Sequence, residues 1–168
     1  MMLDEIKDDI MNILLHIHVY NEKSKRILDI SRTRYELAYE IIALNSIAQD
    51  IILRTSRLGD KRKDVRSIKN VLKNISNYNE DLVNIFYNEI KKVLKIRHEQ
   101  IAHMKLGTVS EYPIEQIPKC VYTAINALVN LIDNINGAPV EYTYSVGSQE
   151  QNINLRQSVE QNKTIYVN

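Results

Sequence analysis

The chain has 168 residues, with 22 Lys and Arg against 21 Asp and Glu, a formal net charge of +1 and a pI near 7.8. Such a balance excludes a protein that coats polyanions by bulk charge, so any nucleic-acid contact would need a local basic patch. Hydrophobic residues at 44% and charged residues at 26%, with four glycines and three prolines, indicate one helix-rich globular domain plus an arm or tail. No apolar run reaches the ~18–20 residues that span a bilayer, so no membrane role is expected. The acidic start "MMLDEIKDDI" lacks the basic leader of a signal peptide, and the single Cys120 allows no internal disulfide. These features point to a reduced, cytoplasmic protein, with Cys120 as a small buried hydrophobe in an apolar helical run.

Leu3, Ile6, Ile10, Leu14 and Ile17 recur at helical spacing and predict a first helix with one buried stripe. The polar stretch "NEKSKR" at 21–26 predicts its end or a bend, with a short helical piece "RILDI" after it. That places His16 and His18 near a helix boundary, two apart and wrongly spaced for metal ligands on one face. "TRYE" at 33–36 reads as a capping box, Thr33 as cap and Glu36 reaching back, opening a helix from about Arg34 to Arg57. Tyr35, Ala38, Ile41, Ile42, Leu44, Ile47, Ala48, Ile51 and Ile52 cover a wide arc, which predicts a helix central to a bundle. Gly59 stops it, and the "KRK" run at 61–63 reads as a solvated loop.

Val65, Ile68, Val71, Leu72 and Ile75 predict a shorter amphipathic helix. "NYNE" at 77–80 offers Asn77 and Glu80 as a cap for a helix from about Tyr78 to His103 or Met104, with Gly107 beyond its end. Pro113 and Pro118 open a last helix with the stripe Val121, Ile125, Leu128, Ile132 and Ile135, closed by Gly137. Residues 138–168 differ in pattern. "PVEYTYSV" alternates with period two through Val140, Tyr142, Tyr144 and Val146, a strand signal, and "TIYV" at 164–167 is a candidate partner. Tyr142, Tyr144 and Tyr166 suit either strand pairing or base stacking. The polar "GSQEQNINLRQSVEQNK" between them leaves a hairpin, an arm on a partner chain and disorder all open.

The functional question centres on "IRHEQIAHMKLG", residues 96–107. At about 100° per residue, Phe86, Ile90, Val93, Leu94, Ile101 and Met104 form one apolar stripe with Arg97 in its middle. A guanidinium there must be paired or must line a cleft. His103 lies roughly a third of a turn away, so the two converge only if the helix end unwinds or a second copy completes the site. Glu99 precedes His103 by four residues and can orient its imidazole. A histidine titrating near neutrality suits proton transfer, and an arginine fork suits charge building on a phosphoryl group. The alternative is structural: Arg97 pairs with an acidic residue on a neighbouring helix and His103 caps the helix end.

"R-H-E-Q-I-A-H", Arg97 to His103, resembles the arginine–histidine signature of HEPN domains, including the small Ala102 before the histidine. "RTSRLGDKRKD", Arg54 to Asp64, resembles the second-helix ending of AbiU-like members, matching at Arg57, Leu58 and Asp60. The resemblance covers residues 1–136 and implies an all-α HEPN-like bundle of four or five helices, with residues 137–168 as a short C-terminal extension in the form of an arm or β-hairpin. It implies a metal-independent endoribonuclease of a bacterial defence, abortive-infection or toxin–antitoxin system, without cofactor. Such a protein cleaves RNA by 2′-hydroxyl attack in the cleft of a homodimer joined through the motif helices, and is silenced by an antitoxin protein. By position, Arg97 and His103 are the catalytic candidates and His98 takes the polar place after the arginine. Arg57 and Asp60 match a feature without an assigned role. Lys105 departs from the family, standing where a tyrosine or an acidic residue is common, and suits a phosphate contact instead. Two other classes remain: a non-catalytic HEPN module binding RNA, nucleotide or a partner protein, and a structural helical interaction domain.

Overall fold

A computed structural model of the chain describes residues 2–30, 33–102, 114–147 and 151–167. The described residues form six α-helices: α1 (Met2–Ile30), α2 (Arg34–Leu58), α3 (Ile68–Leu72), α4 (Glu80–Ile96), α5 (Lys119–Asn136) and α6 (Leu155–Glu160). A π-helical turn, Arg97–Ala102, continues α4, and three short strands follow α5: β1 (Thr143–Val146), β2 (Gln151–Asn154) and β3 (Tyr166–Val167). The protein is thus mostly helical, with a small antiparallel sheet at its C-terminal end. No helix among the described residues is long and apolar enough to cross a membrane.

The chain divides into two compact units, each gathering separate segments. The first takes the described residues of Met1–Ile10, Ile52–Val109 and Ile117–Val140. Its centre is the pair α4 and α5. Asn134 near the end of α5 accepts a hydrogen bond from the Asn79 backbone at the start of α4 (2.9 Å), while Thr123 near the start of α5 donates to Glu89 in mid-α4 (2.8 Å), so the two helices run antiparallel. Phe86, Ile90 and Val93 of α4 and Val121, Ala124, Ile125, Leu128, Leu131 and Ile132 of α5 are buried. Apolar burial of this kind contributes about 1.5–3 kcal/mol for each large side chain. As anticipated, Pro118 stands at the N-cap of α5, and Gly137 ends it at φ 77, a left-handed C-cap that most side chains would strain.

The second unit takes the described residues of Met11–Ile51, Ser110–Gln116 and Glu141–Asn168. Here Glu115 ties α1 to α2: the Tyr20 hydroxyl donates to its carbonyl (2.6 Å), and its N–H donates to the Asn45 side chain (2.7 Å). The sheet has the order β1-β2-β3, antiparallel throughout, with Tyr144 opposite Ile153 and Ile153 opposite Tyr166. The "TIYV" segment therefore pairs not with β1 but with β2, which arises from the polar stretch between them. The period-two signal was lost there because Gln151–Asn154 buries only Ile153. Leu155 and Ser158 of α6 are buried, and the Ser158 hydroxyl accepts from the Ile165 N–H (2.9 Å).

Three other local expectations are corrected. α1 does not stop or bend at "NEKSKR". Glu22 pairs with Lys25 and Arg26 one turn on, and Lys23 pairs with Glu40, so the polar run continues the helix with its charges paired. His16 and His18 consequently lie within the helix rather than at its boundary. His16 Nδ1 donates to the Asn12 carbonyl (2.6 Å), and His18 is buried. The helix predicted from Val65 to Ile75 shrinks to α3, and α4 is capped by Asn79 rather than Asn77, the Asn79 side chain accepting from the Asp81 N–H (2.8 Å).

The capping box opening α2 is present, with Thr33 N–H to Glu36 at 2.8 Å and Glu36 N–H to the Thr33 hydroxyl at 3.1 Å. The first turns of α2 are not central, however. Tyr35, Tyr39 and Ile42 are 81%, 72% and 63% exposed, and full burial begins at Leu44.

Gly59 does more than end α2. A Cβ there would lie 2.5 Å from Ile90 Cγ1 and 3.0 Å from Cγ2, atoms of a buried side chain that cannot swing away. Gly59→Ala is expected to lower unfolding free energy by about 1–3 kcal/mol, the usual cost of overpacking, read from urea denaturation. Burial lowers the pKa of His18, with Glu22 opposing that shift. The unfolded chain therefore takes a proton that folded His18 refuses, and stability should fall as pH drops below about 6.5. His18→Gln should flatten that slope between pH 7 and 5 in denaturation midpoints.

Candidate functional site

The buried stripe of α4 runs through Phe86, Ile90 and Val93. Arg97 follows on the same face, four residues after Val93 and seven after Ile90. It is the C-cap of α4, half-buried, its N–H shared between the Leu94 and Val93 carbonyls. From Arg97 to Ala102 the helix widens into a π-turn. Bonds from i to i+5 put more residues in each turn, so rotation per residue falls and the regular-helix angle between Arg97 and His103 no longer applies. His103 and Lys105 lie outside the described residues. His98 is exposed on the π-turn, and Glu99 is half-buried.

Among the described residues no carboxylate stands within ion-pair distance of the Arg97 guanidinium. Its charge is one of several that act on Asp60, whose carboxyl is held below the usual carboxylate range. Hydrogen bonds from the Arg62 side chain are the chief cause, then the Arg62 N–H. Burial opposes the shift, while the charges of Arg62 and Arg97 add to it. The two stretches singled out in the sequence, around Asp60 and around Arg97, therefore meet electrostatically. The Gly59–Ile90 contact accounts for this: it sets the end of α2 on the face of α4 that Arg97 occupies two turns further on.

Asp60 also borders a cleft of about 290 Å³ lined by Asp9, Arg54, Arg57, Leu58, Arg62, Val65 and Arg66. Arg54 and Arg57, three apart near the end of α2, share one helix face. Arg62 reaches both Asp60 oxygens, with Nη2 to Oδ2 at 2.9 Å and Nε to Oδ1 at 3.3 Å. Arg66 grips Asp9 bidentately, Nε to Oδ2 at 2.6 Å and Nη2 to Oδ1 at 2.7 Å. Four guanidiniums against two carboxylates make the lining electropositive in a chain of net charge +1. Leu58 is buried and supplies an apolar wall.

Against known proteins, the chain matches no family model, no curated protein and no solved structure.

Arg57 and Asp60 were read from the sequence, and both line the cleft. Arg54, Arg62, Arg66 and Asp9 were not. The three-residue spacing of Arg54 and Arg57 was a legible signal. The Arg66–Asp9 pair joins residues 57 apart, which no local spacing announces. The "KRK" run is an exposed loop, as its composition suggests, in which Lys61 sits 5.7 Å over the Tyr87 ring and Arg62 pairs with Asp60. No group of three or more His, Cys, Asp or Glu among the described residues is arranged to hold a metal ion. Cys120 is half-buried rather than buried, and desolvation pushes its thiol pKa up, opposite to what a nucleophile needs.

Because the folded pKa of Asp60 is lowered, its stabilising contribution is present above the unfolded value of about 3.9 and is lost as pH falls through the folded value. Asp60→Asn should therefore weaken the acid dependence of stability between pH 5 and pH 2, read from thermal midpoints across that window.

Proposed function

We propose that this chain is a metal-independent endoribonuclease of the HEPN type, acting as a homodimer in a bacterial defence or toxin–antitoxin setting. The observation that carries the reading is the setting of Arg97. It is half-buried at the junction of α4 and a π-turn, within the field of Asp60, and Asp60 borders an arginine-lined cleft. A guanidinium in that position is suited to a phosphoryl group, and π-turns recur at functional sites.

In the proposed reaction His103 removes the proton of an RNA 2′-hydroxyl. The 2′-oxygen attacks the adjacent phosphorus, and the bond to the 5′-oxygen breaks. The leaving oxygen takes a proton, giving a 2′,3′-cyclic phosphate and a free 5′-hydroxyl. Arg97 stabilises the charge on the non-bridging oxygens in the transition state. In a dimer, base and acid come from His103 of the two protomers, and Lys105 adds a phosphate contact. Glu99 orients the imidazole of His103, and an antitoxin protein restrains the activity.

RNA incubated with the purified protein in EDTA should be cleaved to products ending in cyclic phosphate. His103→Ala should abolish cleavage, and Arg97→Ala should lower its rate about 10²–10³-fold. Cleavage that survives His103→Ala removes the assignment. The second reading, a non-catalytic module that binds RNA, draws on the same arginine cleft. It is selected if RNA binds without being cut.

A further inference from the structure

We propose that the cleft bounded by Arg54, Arg57, Arg62 and Arg66 is a second phosphate site, anchoring one backbone phosphate of single-stranded RNA away from the scissile phosphate. RNA as the carrier rests on the ribonuclease reading above; the phosphate chemistry rests on the cleft alone.

The arginines are arranged for an anion. Arg62 and Arg66 each give their Nε–Nη2 edge to a carboxylate, Asp60 and Asp9 respectively. A guanidinium has five N–H donors in a rigid fork, so each keeps donors to spare, and the carboxylates fix its plane. Both cleft carboxylates are thereby engaged. Glu5 pairs with the Nη1 of Arg66 at 3.8 Å and Asp8 adds negative charge around it, though neither lines the cleft, so Arg66 is the most neutralised of the four arginines.

Arg57 is different. It is exposed, lines the cleft, and makes no ion pair among the described residues. It is the side chain whose charge a ligand would use most directly. A cleft of about 290 Å³ lies just under the usual range of ligand-pocket volumes, roughly 300–1,000 Å³, and has room for a phosphate with its sugar.

The site also has a place in the reaction. Asp60 borders the cleft and follows Gly59, which packs on Ile90 two helical turns before Arg97, so a strand anchored there runs on the side of α4 that carries Arg97. Holding a neighbouring phosphate limits the freedom of the strand at the reacting bond, which is how positioning contributes to rate.

The test uses the full chain carrying His103→Ala, so that binding is read without cleavage. The probe is a labelled single-stranded oligoribonucleotide of about a dozen nucleotides, within the span of known single-strand sites. Affinity is measured by fluorescence anisotropy across salt concentrations. Added Arg57→Ala should weaken binding about tenfold or more and reduce the slope of log K against log salt by about 0.7, the share of one single-strand phosphate contact. Arg57→Lys should keep the slope and recover only part of the affinity, because it keeps the charge and loses the fork. Arg57→Glu should abolish the probe's binding.

Thermal midpoints of the Arg57 variants should match the parent, which separates lost binding from lost fold. Affinity and slope unchanged in Arg57→Ala overturn the proposal. So does Arg57-dependent binding of inorganic phosphate or a mononucleotide without any Arg57-dependent binding of the oligoribonucleotide, since the site then serves a free phosphate ligand. Arg57-dependent RNA binding in a protein that cuts no RNA leaves this site standing and removes the ribonuclease reading. RNA cleavage by a protein indifferent to Arg57 does the reverse.

Discussion

The turn after α2 lies against α4 because residue 59 has no side chain. A Cβ there would stand 2.5 Å from Ile90 Cγ1, and Ile90 is buried and cannot yield without opening the space between α4 and α5. Much of the candidate site follows from that one approach. Asp60, the next residue, is carried to the α4 face, and Arg97 lies two helical turns beyond Ile90 on the same face. Arg62 then folds back on Asp60, and Lys61 settles over the Tyr87 ring. A residue that the sequence marks only as a helix stop is also the spacer that joins the two stretches.

The carboxylates in this region work as organisers. Asp60 receives the Arg62 side chain and backbone together, which fixes the start of the α2–α3 connection. Asn70 holds its remainder, donating from one side-chain amide to the carbonyls of Arg62 (2.9 Å) and Val65 (2.6 Å). Asp9 reaches the same connection from α1 through Arg66. A loop rich in lysine and arginine would otherwise spread to minimise repulsion. Here two acidic residues and one asparagine gather it, and the positive charge left over faces a cleft. Such pairs contribute little as exposed salt bridges, typically under about 1 kcal/mol each, so their value lies in geometry more than in stability.

Features governed by nearest neighbours were legible in the sequence. The Thr33–Glu36 capping box, the α5 stripe and the Gly137 stop each depend on residues within about one turn. The failures have physical causes of a different kind. The "NEKSKR" run reads as a break because it is polar, yet its charges pair along the helix and with Glu40, which lies on α2. Helix α3 is shorter than its apolar spacing because the Asn70 side chain serves loop carbonyls as well. The wide apolar arc of α2 overstated burial, since Tyr35 and Ile42 stand in solvent. At the site, Arg97 was legible as an arginine on a packing face. The approach of the Asp60 turn to that face was not, because it depends on a contact between residues 59 and 90 that no periodicity encodes.

The end of α4 shows why an arginine can be useful there. Up to Val93 the helix is held by buried side chains and regular bonds. At Arg97 the backbone N–H divides between two carbonyls, and the next bonds span five residues. Arg97 therefore sits at a change of helical geometry, following the buried Ile90 and Val93 on one side and leading into a wider turn on the other, and π-turns recur at functional sites. On the proposed reading this keeps the guanidinium on the face of α4 that Gly59 approaches, while the wider turn leads on toward His103. Neither a regular helix through residue 103 nor a loop beginning before Arg97 would combine the two.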